Sequence, residues 1–330
     1  MLTSCNFTQP PQLSYFEGAA QGTAYHITLQ LPDRLTYKEI DKNIQAVLFK
    51  IDRAMSGYRT DSEISYLNRA PINQWLLLSS QLFDILGLSL FLNEHSLGYF
   101  DVTVGEAVEA YGFGPQSNNK QEIILPTVDE VKTLLQHIDA KAIQLHAKEK
   151  KVLKTKPVKI DLNAIAQGYT VDKIVERLES MGVTVYLVEL GGEVRASAYK
   201  KKTANEIEYW TIAIEAPAEE TKQVQKLLTL SGKSVATSGS YRHFREKDHL
   251  KWSHIINPHN AQPVASGLVS VTVVHDQAAL ADGWCTALMA AGLEDGKKIA
   301  EANHLAAYWI SEKKGRFETI QTDLFKEFVK

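Results

Sequence analysis

The sequence predicts an α+β fold built as a single large two-lobed domain of mixed sheets and helices, on three observations. Strand-like and helix-like segments are mixed along the chain without the regular alternation that a doubly wound parallel sheet needs. No repeat of fixed period is visible. The 330 residues, 44% of them hydrophobic, suffice for a substantial core shared by two average domains or by one large one.

The elements follow in order. Tyr15 to Leu31 alternates through Gly22-Thr23-Ala24-Tyr25-His26-Ile27-Thr28-Leu29 and reads as a first strand ending at Pro32-Asp33. Ile40, Ile44, Val47, Leu48 and Ile51 recur at helical spacing, and Ser56-Gly57 stops that helix. In the polar turn from Arg59 to Ile64, Asp61 or Ser62 can cap a short helix containing Leu67. Ser79 to Leu92 is a second amphipathic helix, and Gly98 to Gly105 a turn into an extended piece, followed by Ala107 to Tyr111 and the breaker Gly112-Phe113-Gly114-Pro115. Gln116 to Pro126 is a polar loop, Val128 to Leu135 a helix, and Ile143 to Leu153 a hairpin around Ala147-Lys148-Glu149-Lys150. Asp161 opens a turn of small residues before a helix through Ile174, Val175, Leu178 and Met181, and Val183 to Leu190 is a strand into Gly191-Gly192. Trp210 to Ile214, Val235 to Ser238, Leu268 to Val274 and Ala306 to Ile310 are further strands, and a helix begins near Ala279.

Composition excludes some functions. A formal net charge of −3, with no dense basic stripe beyond scattered lysines such as those from Lys148 to Lys159, gives no field for nucleic acid. No apolar run approaches the ~18 residues of a bilayer span, and the longest patches, from Trp75 to Leu92, are broken by Ser, Gln and Asp. The two cysteines, Cys5 and Cys285, lie in unlike surroundings and predict no structural disulfide. Leu2-Thr3-Ser4-Cys5 matches a bacterial lipobox, with Asn6 to Ser14 as a flexible tether, so residues 1–14 are set apart from a folded domain of residues 15–330. On that reading the basic and hydrophobic parts of a signal peptide are trimmed away, Met1 is an added start, and the protein is an exported lipoprotein on the periplasmic face of a membrane. A chance tetrapeptide ahead of a leader is the alternative.

Five segments could carry chemistry. At the start of the last helix, Asp282 and Thr286 stand one turn apart and share a face, so two hard oxygen donors aim at one spot, as a cation such as Mg²⁺ requires. The simpler explanation is that Asp282 caps its own helix and Thr286 bonds back to a carbonyl. Asp161 to Gly168 delivers an acid into small residues before a helix whose free N–H groups could meet a phosphate, or is a capped turn; no Walker loop or GxGxxG fingerprint accompanies it. Gly191-Gly192-Glu193 and Ala236 to Arg242 are turns where Arg242 could meet a phosphate or a carboxylate. His254, before Ile255-Ile256-Asn257-Pro258, is a candidate proton acceptor, whereas His243 and His249 sit among surface charges.

Together these motifs resemble the ApbE family of flavin transferases, the FAD:protein FMN transferases. The resemblance runs from about Tyr15 to Ile310, in order, through Gln21-Gly22-Thr23, Met55 to Arg59, Gly98 to Gly105, Asp161 to Asp172, Glu189 to Glu193, Ala236 to Arg242, His254 to Pro258, and Ala281 to Leu288. It implies one α+β domain of ApbE-like, T-fold-related architecture. It implies Mg²⁺-dependent transfer of FMN from FAD to a threonine hydroxyl of a partner flavoprotein, such as a respiratory or redox-complex subunit, with release of AMP. Carried over residue by residue, Ala164 (through its carbonyl), Asp282 and Thr286 would hold the metal, with position 285 contributing in some members. Tyr58, Tyr99, Phe100, Asp101, Asp161, Gln167 and Ile256 would contact FAD, and His254 would be the base. Many members are exported lipoproteins, in keeping with a lipid on Cys5 as the only membrane contact.

Two residues depart from the family pattern. Gln21 stands where many members have methionine before Gly-Thr, which bears on one flavin contact. Cys285 stands where some have an acid; a thiol is a poor Mg²⁺ ligand, so its carbonyl or nothing of it should reach the metal. Hydrolysis of FAD to FMN and AMP is the alternative activity, because the same metal and base would activate water. A flavin-carrying lipoprotein without turnover is the third.

Overall fold

The computed structural model describes residues 12–114, 125–203, 205–216, 224–240, 244–247, 250–264, 267–313 and 315–330. An eight-stranded sheet organises the chain, and its strands lie side by side in chain order: β1 (Leu13–Ala20), β2 (Thr23–Gln30), β3 (Tyr186–Leu190), β4 (Glu193–Ala196), β5 (Ser234–Gly239), β6 (Leu268–His275), β7 (Ala306–Lys313) and β8 (Arg316–Gln321). Every neighbouring pair is antiparallel. Between β2 and β3 the chain leaves the sheet to build a helical lobe of α1 (Tyr37–Met55), α2 (Glu63–Arg69), α3 (Ser80–His95), α4 (Gly105–Ala110), α5 (Val128–Gln136) and α6 (Ala166–Ser180). The long helix α7 (Ala278–Ala302) joins β6 to β7, and α8 (Asp323–Lys326) follows β8.

Period-two alternation gives the sheet two apolar faces. On β7, Ala307 and Trp309 enter the core shared with α7 and the helical lobe, while Ala306, Tyr308 and Ile310 enter a second core on the other side. That outer core is closed by the hairpin of Trp210–Glu215 with Val224–Leu230, and by Phe325 of α8, whose ring stacks on Tyr308 at 5.3 Å. At the β1–β3 end, Phe16, Ile27 and Val188 pack on Ile40 and Ile44 of α1 and on Val171, Ile174 and Val175 of α6.

Helix starts obey local chemistry. Thr36 and Glu39 form a reciprocal capping box at α1, and Ser62 and Ser79 accept the free N–H groups of α2 and α3; each such cap contributes about 1 kcal/mol. Ser62 rather than Asp61 caps α2, because Asp61 is engaged by Arg53 and Arg59.

The structure departs from the sequence reading at several places. Tyr15 to Leu31 is two strands, not one, with Gln21 (φ 51°) and Gly22 (φ 76°) both left-handed in the turn. Glutamine does not announce such a turn; it is held there by its Nε2, which donates to Thr170 Oγ1 at 2.5 Å. Strand β1 begins at Leu13, so Leu13 and Ser14 of the expected tether pair within the sheet. The piece after Gly98 is a turn with one parallel bridge, Val104 to Lys159, leading into α4 rather than a strand. Strands β4 and β8 and the paired segments Val224–Leu230, Phe244–Lys247 and Leu250–Ser253 carry too few alternating apolar residues to have been read. Cys5, most of the loop from Gln116 to Pro126, Arg242, His243 and His249 lie outside the described residues.

Candidate active site

A cleft of about 870 Å³ opens where the turns at one end of the sheet meet the helical lobe. Its walls are the β1–β2 and β3–β4 turns, the end of β5, the C-terminus of α1 with residues 56–59, the turns at 99–104 and 161–167, residues 254–258, and the first turns of α7. Every site residue expected from the sequence lines this one cleft: Tyr58, Tyr99, Phe100, Asp101, Asp161, Ala164, Gln167, His254, Ile256, Asp282 and Thr286.

Asp282 is 7% exposed. It cannot cap its own helix, since α7 starts four residues earlier at Ala278. Its Oδ2 instead accepts the Gly168 N–H at 3.0 Å, so it caps the neighbouring helix α6 and keeps its other oxygen available. Glu193, buried on β4, also lines the cleft. Burial first, and then the Glu193 charge, push the Asp282 carboxyl well above the usual aspartate range; the Gly168 N–H opposes this only in part. Thr286 Oγ1 lies 3.2 Å from Ser238 Oγ at the end of β5. Cys285 does not line the cleft: its Sγ–H donates to the Ala236 carbonyl, and burial followed by the Asp282 charge holds it as a thiol.

These groups fit a hard cation. Two acids in a low-dielectric pocket repel each other, and a divalent ion beside them relieves both the repulsion and the desolvation. Among the described residues no group of three or more His, Cys, Asp or Glu could hold a metal. A cation here must therefore use hydroxyl or carbonyl oxygens alongside Asp282, a donor set that suits Mg²⁺ and not a soft metal. Thr286 and the half-buried Ala164, just ahead of α6, supply such oxygens.

The expected flavin contacts divide by what their side chains already do. Asp101 has both oxygens engaged, Oδ1 by the Thr103 N–H and hydroxyl, Oδ2 by Asn93 and the Ala140 N–H, so it builds its turn and its carboxylate is not free for a ligand. Phe100 is 2% exposed and its ring is core, packed beside Gly283, so it offers no open face to a flavin. Tyr99 stacks on His259 at 4.2 Å and donates its hydroxyl to Asp295. Asp161 accepts the Asn163 N–H at 2.8 Å, the capped turn that was the simpler reading, and burial raises its carboxyl. Tyr58 stands 65% exposed at the rim. Gln167 lies against Gly191, where a Cβ would sit 2.8 Å from Gln167 Oε1, and Gly191 is left-handed at φ 70°. Ile256 is buried, and half-buried His254 meets the Phe113 ring edge-on at 6.1 Å.

Sequence reasoning placed Glu193, Ser238 and Arg59 within candidate segments or motifs without giving them a role, and missed Asp52 as a cleft residue. Gly191-Gly192 signalled the turn beside Glu193, but only the pairing of β4 shows that this acid faces inward.

One acid-lined cleft with hydroxyls and a histidine, set between an antiparallel sheet and a helical lobe, defines an α+β group-transfer enzyme. The chain belongs to the ApbE family, whose model matches residues 21–309. The FAD:protein FMN transferase of Vibrio cholerae is 32% identical over 332 residues, covering 100% of this chain and 96% of the relative. That of Escherichia coli K12 is 30% identical over 98% of this chain and 91% of its own. The solved structure of the flavin transferase ApbE from Vibrio cholerae superposes with a TM-score of 0.86 at 31% identity, covering 97% of this chain and 100% of that one. The apo Pseudomonas stutzeri flavinyl transferase ApbE gives 0.87 at 30% identity, covering 97% and 98%. The chain is therefore a transferase acting on flavin, and the reading as a carrier without turnover falls.

Proposed function

We propose that the chain transfers FMN from FAD to a threonine hydroxyl of a partner flavoprotein, with Mg²⁺ as cofactor and AMP as the leaving product. The observation that supports this best is the buried Asp282 carboxyl beside Glu193, with Thr286 and Ser238, in a cleft that also holds His254. Asp282, Thr286 and the Ala164 carbonyl would hold Mg²⁺, which supplies neutralisation of the pyrophosphate charge. The bond from the FMN phosphorus to the bridging pyrophosphate oxygen would break, that oxygen leaving with AMP, while a new P–O bond forms between the FMN phosphorus and the threonine oxygen and His254 takes the hydroxyl proton. Tyr99, Tyr58 and Gln167 border the volume available to the flavin and adenine rings.

Incubation with FAD, Mg²⁺ and a candidate acceptor, followed by a gel read for covalent flavin fluorescence, tests the reading. Labelled acceptor and AMP should appear together. AMP released while no acceptor that carries a threonine target becomes labelled would make the enzyme an FAD pyrophosphatase.

Localisation is part of the same proposal, resting on Leu2-Thr3-Ser4-Cys5. No helix among the described residues is long and apolar enough to cross a membrane. With the chain expressed behind a lipoprotein signal peptide, a lipid on Cys5 would hold the enzyme on the periplasmic face, so Cys5→Ser should move it from the membrane to the soluble fraction. Equal membrane recovery of both forms would remove the anchor from the account.

A further inference from the structure

Helices α6 and α7 cap each other. Neither has a side-chain cap of its own, since Ile165 and Gln277 occupy the cap positions without bonding. In their place Asp282, on the second turn of α7, takes the Gly168 N–H of α6, and Asp172, on the second turn of α6, takes the Ala278 and Ala279 N–H groups of α7 at 3.0 and 2.9 Å. The crossing is tight: a Cβ on Gly168 would lie 2.3 Å from the Ala278 carbonyl oxygen and 2.8 Å from Asp282 Cβ. Both backbones are thus in contact where the two acids exchange bonds.

Strand β4 addresses both acids from one face. Glu193 and Arg195 are two residues apart and share the inner side, while Val194 and Ala196 enter the outer core. Glu193 charges the surroundings of Asp282, and Arg195 Nη1 donates to Asp172 Oδ1, the same oxygen that receives Ala278. Asp172 does not line the cleft and touches no ligand volume. It is nonetheless the group that fixes the first turn of the helix bearing Asp282 and Thr286.

We infer that Asp172, locked by Arg195, is a positioning residue for the cation site: by holding the first two N–H groups of α7 it sets the height and rotation at which Asp282 and Thr286 face the cleft. This rests on the reading of those two residues as cation ligands. A residue that orients a ligand without touching the metal changes metal affinity about 10–100-fold when lost. A residue that merely stabilises the fold does not.

The test is direct binding of Mn²⁺, in place of Mg²⁺, to the purified full chain, read from the electron paramagnetic resonance signal of the free ion. Asp172→Asn keeps the volume but leaves one α7 N–H without an acceptor, and should weaken Mn²⁺ binding about 10–100-fold. Arg195→Gln keeps both caps and removes the lock, together with the interaction of Arg195 with the Tyr186 hydroxyl, and should weaken it less, in the same direction. Thr322→Ala is the control: it deletes a hydroxyl bonded to the Ala307 N–H and the Leu305 carbonyl, away from the cleft, and should leave Mn²⁺ affinity unchanged. Wild-type affinity in both Asp172→Asn and Arg195→Gln would overturn the inference, as would equal weakening in all three variants, which would mean general loosening. If Asp172→Asn does not fold, Arg195→Gln against Thr322→Ala decides. A wild-type chain that binds no Mn²⁺ would remove the cation reading itself, and the inference with it.

Discussion

Asp282→Asn should abolish Mg²⁺-dependent flavin transfer and AMP release while leaving the metal-free protein at least as stable as wild type. The loss should be on the order of 10³-fold or more, because a metal acting on a phosphoryl oxygen contributes several kcal/mol and about 1.36 kcal/mol is a factor of ten. The stability half follows from burial. The asparagine carbonyl can still accept the Gly168 N–H, so the cap on α6 survives, while the charge that Asp282 carries against Glu193 is gone. The pH dependence has a definite sign. Asp282 is raised in the folded state, so the unfolded chain loses this proton first; folded stability is fullest below the ordinary aspartate range and falls as pH rises through the raised value. Thermal melts without metal should therefore show a decline in stability above about pH 4 that is shallower in Asp282→Asn. Added Mg²⁺ should raise the melting temperature of wild type only, since a ligand that binds the native state alone stabilises it. An Asp282→Asn protein that kept both its Mg²⁺-induced shift and its turnover would remove Asp282 from the metal site.

The contrast between what the sequence disclosed and what it concealed has a physical cause. Helices were readable wherever an apolar stripe began at a local cap, as at Ser62 and Ser79, because both signals lie within a few residues. The helices that meet at Asp282 and Gly168, α6 and α7, lack that signal: their caps come from each other across more than a hundred residues. Asp282 therefore looked like a cap of its own helix, and Asp172 attracted no attention beyond the motif that contains it. Buried strands such as β6 and β7 were legible from continuous apolar runs. Gln21 shows the opposite case, a left-handed turn residue held by a bond to Thr170 that no local rule foretells. The cleft residues taken from the family motifs all converged in space, yet Asp101 and Phe100 could be separated from open contacts only by seeing which atoms were already used.

His254→Ala is the second large effect, and it separates proton removal from substrate binding. His254 follows the strand Leu250–Ser253 and precedes the paired residues Ile256–Asn257, so two short strands fix its backbone at the cleft wall, with Phe113 edge-on to the ring. None of those contacts depends on Asp282 or Thr286, which lie on α7. Removing the imidazole should slow flavin transfer to the acceptor by about 10²–10⁴-fold, the usual contribution of a general base. FAD and Mn²⁺ affinity should stay near wild type. The rate profile carries the decisive signature: a base must be unprotonated to act, so wild-type transfer should rise with pH along a limb that disappears in His254→Ala. Added imidazole should restore part of the rate, since the variant leaves a gap of matching shape beside Phe113. Transfer at the normal rate with an unchanged pH profile would take the proton-accepting role away from His254 and leave it as a wall of the cleft. A variant that had lost FAD binding as well would place the imidazole in substrate recognition, a different role with the same loss of turnover, which is why affinity and rate have to be measured on the same preparation.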